Sequence, residues 1–200
     1  MIVCGWYTPD YAERARRFMA GLDRVGARHD IVAVVPSSSR WEHNTLSKAR
    51  HILKAMDRHP SESILFSDVD IEVRKPLDGF GHLEGDIAVH QRTKMLHSGW
   101  PRWMARTTAL LIKPHPICRQ FMQAWANESA RAAYGANDQR TFPLAVGRTP
   151  GIVLANLPLS FCAMENEHED PILLHVNASK EGPKMHKLTR WFLAEMRLSR

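Results

Sequence analysis

The sequence predicts an α/β fold in which a mixed, mainly parallel sheet is flanked by helices. Three observations carry that expectation. Short apolar runs rich in Val, Ile and Leu alternate with amphipathic stretches of helical length, as buried parallel strands and their crossover helices require. A strand–helix–strand unit is complete between Ile2 and Val35. The polar loops follow the ends of successive strands, the edge at which an open α/β sheet meets ligands. The chain of 200 residues is expected to form a single domain, 1–200, long enough to bury roughly two-thirds of its unfolded surface.

Residues 2–7 read as the first strand, closed by Thr8-Pro9-Asp10, where Thr8 or Asp10 caps the next helix. Residues 11–25 are helical, with Ala15, Phe18, Met19 and Leu22 near helical spacing, and Gly26 stops them. Residues 31–35 form a near-continuous buried strand, followed by a Ser-rich loop ending at Arg40. A second helix spans 41–58, its Leu46, Ala49, Ile52, Leu53 and Met56 turned inward and Lys48 beneath the strand ends. Strands are expected over 85–90, 107–112, 152–157 and 172–175, with helices from 116 to 131 and after Asn137, a plausible cap. The Trp- and Arg-rich stretch 91–106 reads as a long connector of the kind that is usually functional, and the basic tail 180–200 contains a helical-looking segment.

The chain turns on residues 63–76. Ile64, Leu65 and Phe66 make an apolar strand, and Asp68-Val69-Asp70 follow Ser67. In an extended chain Asp68 and Asp70 share one side, and two adjacent carboxylates repel unless a cation lies beside them. Mg²⁺ or Mn²⁺ bound by one or two carboxylates and substrate phosphate oxygens is the usual resolution. A D-x-D at a strand end is otherwise an ordinary turn; the strand before it and the Arg74-Lys75-Pro76 exit after it favour a site. His175 ends a late strand ahead of a basic run containing Lys180 and Lys184, and Asn137-Asp138-Gln139 opens a helix between them. Imidazole is an acceptable ligand for Mn²⁺.

Bulk composition limits the rest. A 44% apolar and 24% charged content belongs to a soluble globular chain rather than a disordered one. No window approaches the ~20 apolar residues of a membrane span. Three widely spaced cysteines form neither a disulfide framework nor a zinc ribbon. With no secretory leader at the N-terminus, a cytoplasmic location is expected. Lys and Arg outnumber Asp and Glu by 27 − 21 = 6, and the resulting pI of about 9.5 suits a phosphate-rich partner.

In the order strand, Asp68-Val-Asp70, Asp138-Gln139, then His175 followed by Gly182 and Lys184, the sequence resembles the GT-A glycosyltransferases, whose fold is Rossmann-like, and among them the small glycogenin-like members. The resemblance implies transfer of a sugar from a nucleotide-diphosphate sugar, a UDP-sugar foremost, to an acceptor hydroxyl on a glycan, protein or nucleic acid. It implies Mn²⁺ or Mg²⁺ held by Asp68, Asp70 and His175, with Lys184 and Lys180 on phosphate. Thr8, the loop carrying Arg40 and the nearby Lys48 would face the nucleotide, and in an inverting enzyme Asp138 or Glu72 would serve as base, the sequence leaving inverting or retaining stereochemistry open. Met185-His186 stand where glycogenin-like members carry Pro-Trp. The basic 91–106 stretch would recruit a polyanionic acceptor, a phosphorylated glycan or modified DNA. Two alternatives stay open: a haloacid-dehalogenase-like phosphohydrolase with Asp68 as nucleophile, and a nucleic-acid-binding module without catalysis.

Overall fold

The computed structural model describes residues 1–36, 41–95, 99 and 101–176, with the side chains of Trp41 and Glu42 outside that description. Arg40, Trp100, Lys180, Lys184 and the basic tail therefore lie outside the described residues.

Two sheets make up the core. The larger has the order β2-β1-β3-β6-β5-β7, formed by β1 (Ile2–Tyr7), β2 (His29–Ala33), β3 (Ile64–Ser67), β5 (Ile87–Met95), β6 (Pro101–Ile112) and β7 (Leu154–Asn156). Strand β1 pairs in parallel with both β2 and β3, and β5 with β7, while β6 runs antiparallel to β3 and β5. The smaller sheet, β4-β9-β8, joins β4 (Ile71–Val73), β9 (Leu173–His175) and β8 (Cys162–Met164).

Strand alternation explains why the apolar runs are continuous. Ile2, Cys4, Ile64, Phe66, Leu110 and Ile112 face α3 (Lys48–Arg58), α4 (Pro116–Ala130) and α5 (Asp138–Gly147), packing with Ile52, Phe121, Trp125 and Phe142. Their neighbours Val3, Leu65, Ala109 and Leu111 face the opposite way, toward Phe18 and Leu22 of α1 (Ala12–Arg24) and the apolar side chains of the small sheet. Both faces of the large sheet are covered, so its central strands need apolar residues at every position. Truncating a side chain as enclosed as Phe66 would cost about 3–5 kcal/mol.

Two close approaches fix the layers. A Cβ at Gly5 would stand 2.7 Å from the Ser67 carbonyl oxygen, so glycine lets β1 lie against β3 just below the acidic turn. At Gly21 a Cβ would come within 3.1 Å of Val73, which sets α1 against β4.

Several expectations are corrected. β2 is the sheet's edge strand and only partly buried; Val35, expected inside it, is 90% exposed. The expected 41–58 helix breaks into α2 (Trp41–Thr45) and α3, because the Ser47 hydroxyl and amide both donate to the Asn44 carbonyl and close a tight turn. Thr8 does not cap with its side chain; its hydroxyl bonds to Asp10. Asn137 does cap α5, its Oδ1 accepting from the Arg140 amide at 3.2 Å.

The largest correction concerns 91–106, which is no loose connector. Its described part is a two-stranded antiparallel ribbon continuing β5 and β6, paired from His90↔Arg106 to Met95↔Pro101. Val89 pairs with Leu110 but His90 pairs with Arg106, so Thr107, Thr108 and Ala109 bulge out of the β5 ladder.

Candidate active site at the carboxyl edge of the sheet

The bulge in β6 and the end of β3 meet at one edge. There the Thr108 carbonyl accepts from the Asp68 amide at 2.9 Å, and the Ser67 hydroxyl donates to the Asp68 carbonyl at 2.9 Å. These bonds turn the chain out of β3 and present Asp68 at the rim.

From below, Lys48 at the start of α3 reaches into the same place. Its ammonium lies 2.9 Å from Asp68 Oδ1, 2.7 Å from Asp138 Oδ2 and 3.0 Å from the Thr107 carbonyl oxygen. An ammonium has three donors, and all three are used. The Thr107 hydroxyl donates to Asp138 Oδ2 at 2.6 Å, so the second carboxylate is held twice. Lys48 is 3% exposed and Asp138 4%. Burial alone would lower the Lys48 pKa, but the Asp138 and Asp68 carboxylates outweigh it and raise it. Burial pushes the Asp68 carboxyl up, with Asp70 and Asp138 adding and Lys48 opposing. Because 32% of the Asp68 side chain is open to solvent, water damps that shift.

The rim is built differently. Antiparallel pairing of β4 with β9 sets Ile71 opposite His175, and the Val176 amide donates to the Asp70 carbonyl at 3.0 Å. The small sheet thus delivers His175 to Asp70, with Nε2 3.3 Å from Oδ2 and each side chain 13% exposed. His175 Nδ1 is buried and has no hydrogen-bond partner among the described residues. A buried polar atom without a partner is costly. Carboxylate and imidazole together suit Mn²⁺, so the residues present fit a divalent ion at this rim, where Asp70 also acts on Asp68 through its charge. Among the described residues, triplets whose ligand atoms already stand within 4.8 Å of one another are Cys4–Asp30–His59 and Asp86–His115–Cys118, but both are tied by hydrogen bonds. Asp30 accepts from Arg58 and pairs with His59, while Asp86 pairs with His115 and accepts from the Val153 amide.

The remaining expected site residues fall out as follows. Lys48 is turned to two carboxylates and a carbonyl. Asp138 lies under the site in an ion pair rather than open to an acceptor. Glu72 projects from β4 on the side opposite the buried Ile71 and Val73, 3.2 Å from Arg74 and exposed, so it does not join the cluster. Thr8 sits buried just past β1, whose carboxyl end shares the site's edge. Trp103 packs toward Phe142 with 6.4 Å between ring centroids.

Two participants were not anticipated. Thr107 contributes through the β6 bulge, which no spacing rule announces. Tyr11 is half-buried, and its hydroxyl pKa is raised by burial first and then by Asp70, which places it within the field of the acidic rim.

Solved glycosyltransferases share this architecture. A glycosyltransferase involved in the glycosylation of the major capsid of PBCV-1 matches with a TM-score of 0.67 at 16% identity, over 98% of each chain. The glycosyltransferase GlyE of Streptococcus pneumoniae TIGR4 matches at 0.58 and 12% identity, over 96% of this chain and 60% of that one. The bifunctional glycosyltransferase WbbM matches at 0.55 and 10% identity, over 88% of this chain and 45% of that one. The chain therefore has a GT-A-like glycosyltransferase fold. No protein-family model and no curated protein matches the sequence. The phosphohydrolase alternative finds no counterpart in this fold, where the acidic turn follows the third strand rather than the first. Among the described residues no helix is long and apolar enough to cross a membrane.

Proposed function

We propose that the chain is a metal-dependent glycosyltransferase that moves a sugar from a nucleotide-diphosphate sugar, a UDP-sugar foremost, to an acceptor hydroxyl. The observation that supports this most is the delivery of His175 to Asp70 by a dedicated small sheet, at the carboxyl edge of β3. Asp70, His175 and Asp68 would hold Mn²⁺ or Mg²⁺. Such an ion, when bound, neutralises the charge that grows on the departing diphosphate.

The chain's own groups prepare that step. Lys48 contacts both Asp68 oxygens, at 2.9 and 3.3 Å, which fixes the carboxylate's orientation before any ligand arrives and limits reorganisation at the moment of reaction. Thr107 and Asp138 hold Lys48 in turn, so Asp138 is a positioning residue in this reading and not the base. Thr8 and Tyr11 border the same edge on the β1 side, where a nucleoside would lie. Arg40, Lys180 and Lys184 are proposed to meet the donor's phosphates. Residues 1–200 would form one catalytic domain, and its three buried free thiols fit a reducing compartment such as the cytoplasm.

The test is thermal unfolding with UDP, with Mn²⁺ and with both. A ligand that binds only the folded state raises the midpoint by mass action. UDP with Mn²⁺ should stabilise the wild type more than either alone, and Asp70→Ala should abolish the gain. Stabilisation by UDP that ignores Mn²⁺ and survives Asp70→Ala would contradict the proposal.

A further inference from the structure

The ribbon formed by His90–Met95 and Pro101–Arg106 has two unlike faces. In an antiparallel ladder directly opposed residues share a face. One face therefore carries Gln91, Thr93, Met95, Pro101, Trp103 and Ala105. Ala105 is fully buried there, and Trp103 packs toward Phe142 while donating to Gln91 Oε1 at 3.2 Å. The opposite face carries His90, Arg92, Lys94, Arg102, Met104 and Arg106.

At the root of this cationic face the charges are matched. Arg106 is 5% exposed and donates twice to Glu167, at 2.6 and 2.7 Å, and His90 bonds to the Leu157 carbonyl. Further out they are not. Arg92, Lys94 and Arg102 are exposed, and among the described residues their side chains have no ion pair or hydrogen bond. Elsewhere Arg17, Arg28, Arg58, Arg119 and Arg148 find carboxylates, while Arg50, Lys54 and Arg131 are exposed and, among the described residues, unpaired like the ribbon cations. Lys94 stands directly opposite Arg102, an arrangement that like charges disfavour. Arg92 lies two residues from Lys94 on the same strand, about 7 Å away. Three unmatched cations thus sit within one small patch.

The patch also has a direction. β5 and β3 are both antiparallel to β6, so the ribbon leaves the sheet at the edge that bears Asp68. Thr107 and Thr108, which follow directly from the ribbon, touch Lys48 and the Asp68 amide.

We infer that Arg92, Lys94 and Arg102 form an acceptor-docking surface whose occupant is an anionic glycan, one bearing phosphate, sulfate or carboxylate groups on sugars next to the reacting hydroxyl. This rests on the transferase reading. Charge complementarity sets the class, and the small number of cations sets the kind: nucleic-acid binders commonly engage some 6–10 phosphates, whereas three cations on one ribbon suit a few charges on a short oligosaccharide.

The test measures binding of a heparin-derived hexasaccharide, with neutral maltohexaose and a short DNA duplex as comparison probes. The triple variant Arg92→Gln/Lys94→Gln/Arg102→Gln is set beside Arg50→Gln/Lys54→Gln/Arg131→Gln, which removes equal charge from other exposed positions. The wild type should bind the hexasaccharide in preference to maltohexaose and to the duplex. The ribbon variant should lose about tenfold or more in affinity and the control variant should not. Thermal stabilisation by UDP and Mn²⁺, measured on the same samples, should be equal in all three. Equal losses in both variants, no preference over maltohexaose, or tighter binding of the duplex would each overturn the ribbon assignment while leaving the donor site standing. Absence of any UDP and Mn²⁺ stabilisation would instead remove the transferase reading, and the acceptor role with it.

Discussion

The two halves of the acidic site are built on opposite principles. Around Lys48 every hydrogen-bonding group is matched: three donors meet Asp68, Asp138 and the Thr107 carbonyl, and the Thr107 hydroxyl closes the ring. Two residues further on, Asp70 stands beside His175, whose Nδ1 atom is buried and has no hydrogen-bond partner among the described residues. The first region is complete without a ligand and belongs to the fold. The second is where the proposed ion would enter. Neighbouring carboxylates in one D-x-D motif are therefore held differently, Asp68 by Lys48 and the core, Asp70 by His175 of the small sheet.

That contrast can be broken at its strongest point first. Lys48→Met would leave Asp68 and Asp138 buried without a counter-charge, and removing one partner of a buried pair costs about 3–5 kcal/mol. Urea unfolding should show that loss, and adding Asp138→Asn should recover part of it. Next comes Thr107→Val, which deprives Asp138 of a donor and should cost roughly 1–3 kcal/mol in the same measurement. Least should happen at the rim: His175→Gln and Asp70→Asn, which keep a hydrogen-bonding group in place, should shift stability by about 1 kcal/mol yet abolish stabilisation by Mn²⁺ with UDP. A rim variant that unfolds the protein as Lys48→Met does would erase the distinction.

A smaller effect concerns the ribbon's root. Two donations from Arg106 hold the Glu167 carboxyl down, from 4.5 to about 2, with the Met164 amide helping. A depressed carboxylate contributes stability above its unfolded pKa and loses it as pH falls through the folded value. The stability gap between wild type and Glu167→Gln should hold above pH 4.5 and shrink from there down to about pH 2. A gap that grows in acid would contradict this pairing.

Much of this was legible in the sequence, for identifiable reasons. The strand ending in Asp68 and the strand ending in His175 are short apolar runs cut off by charge, and local pattern suffices to find them. Apolar periodicity likewise located α1 and α4. The β5–β6 ribbon was missed because its residues are polar, aromatic and basic rather than alternating apolar, so it reads as a loop; pairing, not composition, makes it strand. β2 looked central because its residues are apolar, but edge position is a tertiary fact. The Lys48 bridge was invisible for a related reason. It joins residues twenty and ninety positions away, Asp68 and Asp138, and a lysine at the start of an amphipathic helix is usually solvated.

In the proposed reading Asp70 and His175 hold a divalent ion against a diphosphate. Crystals grown with Mn²⁺ and UDP, measured at a wavelength where manganese scatters anomalously, address it directly. A single anomalous peak bonded to Asp70, His175 and the UDP phosphates is the expected result. Manganese and UDP bound together elsewhere, with Asp70 and His175 still paired to each other, would contradict it.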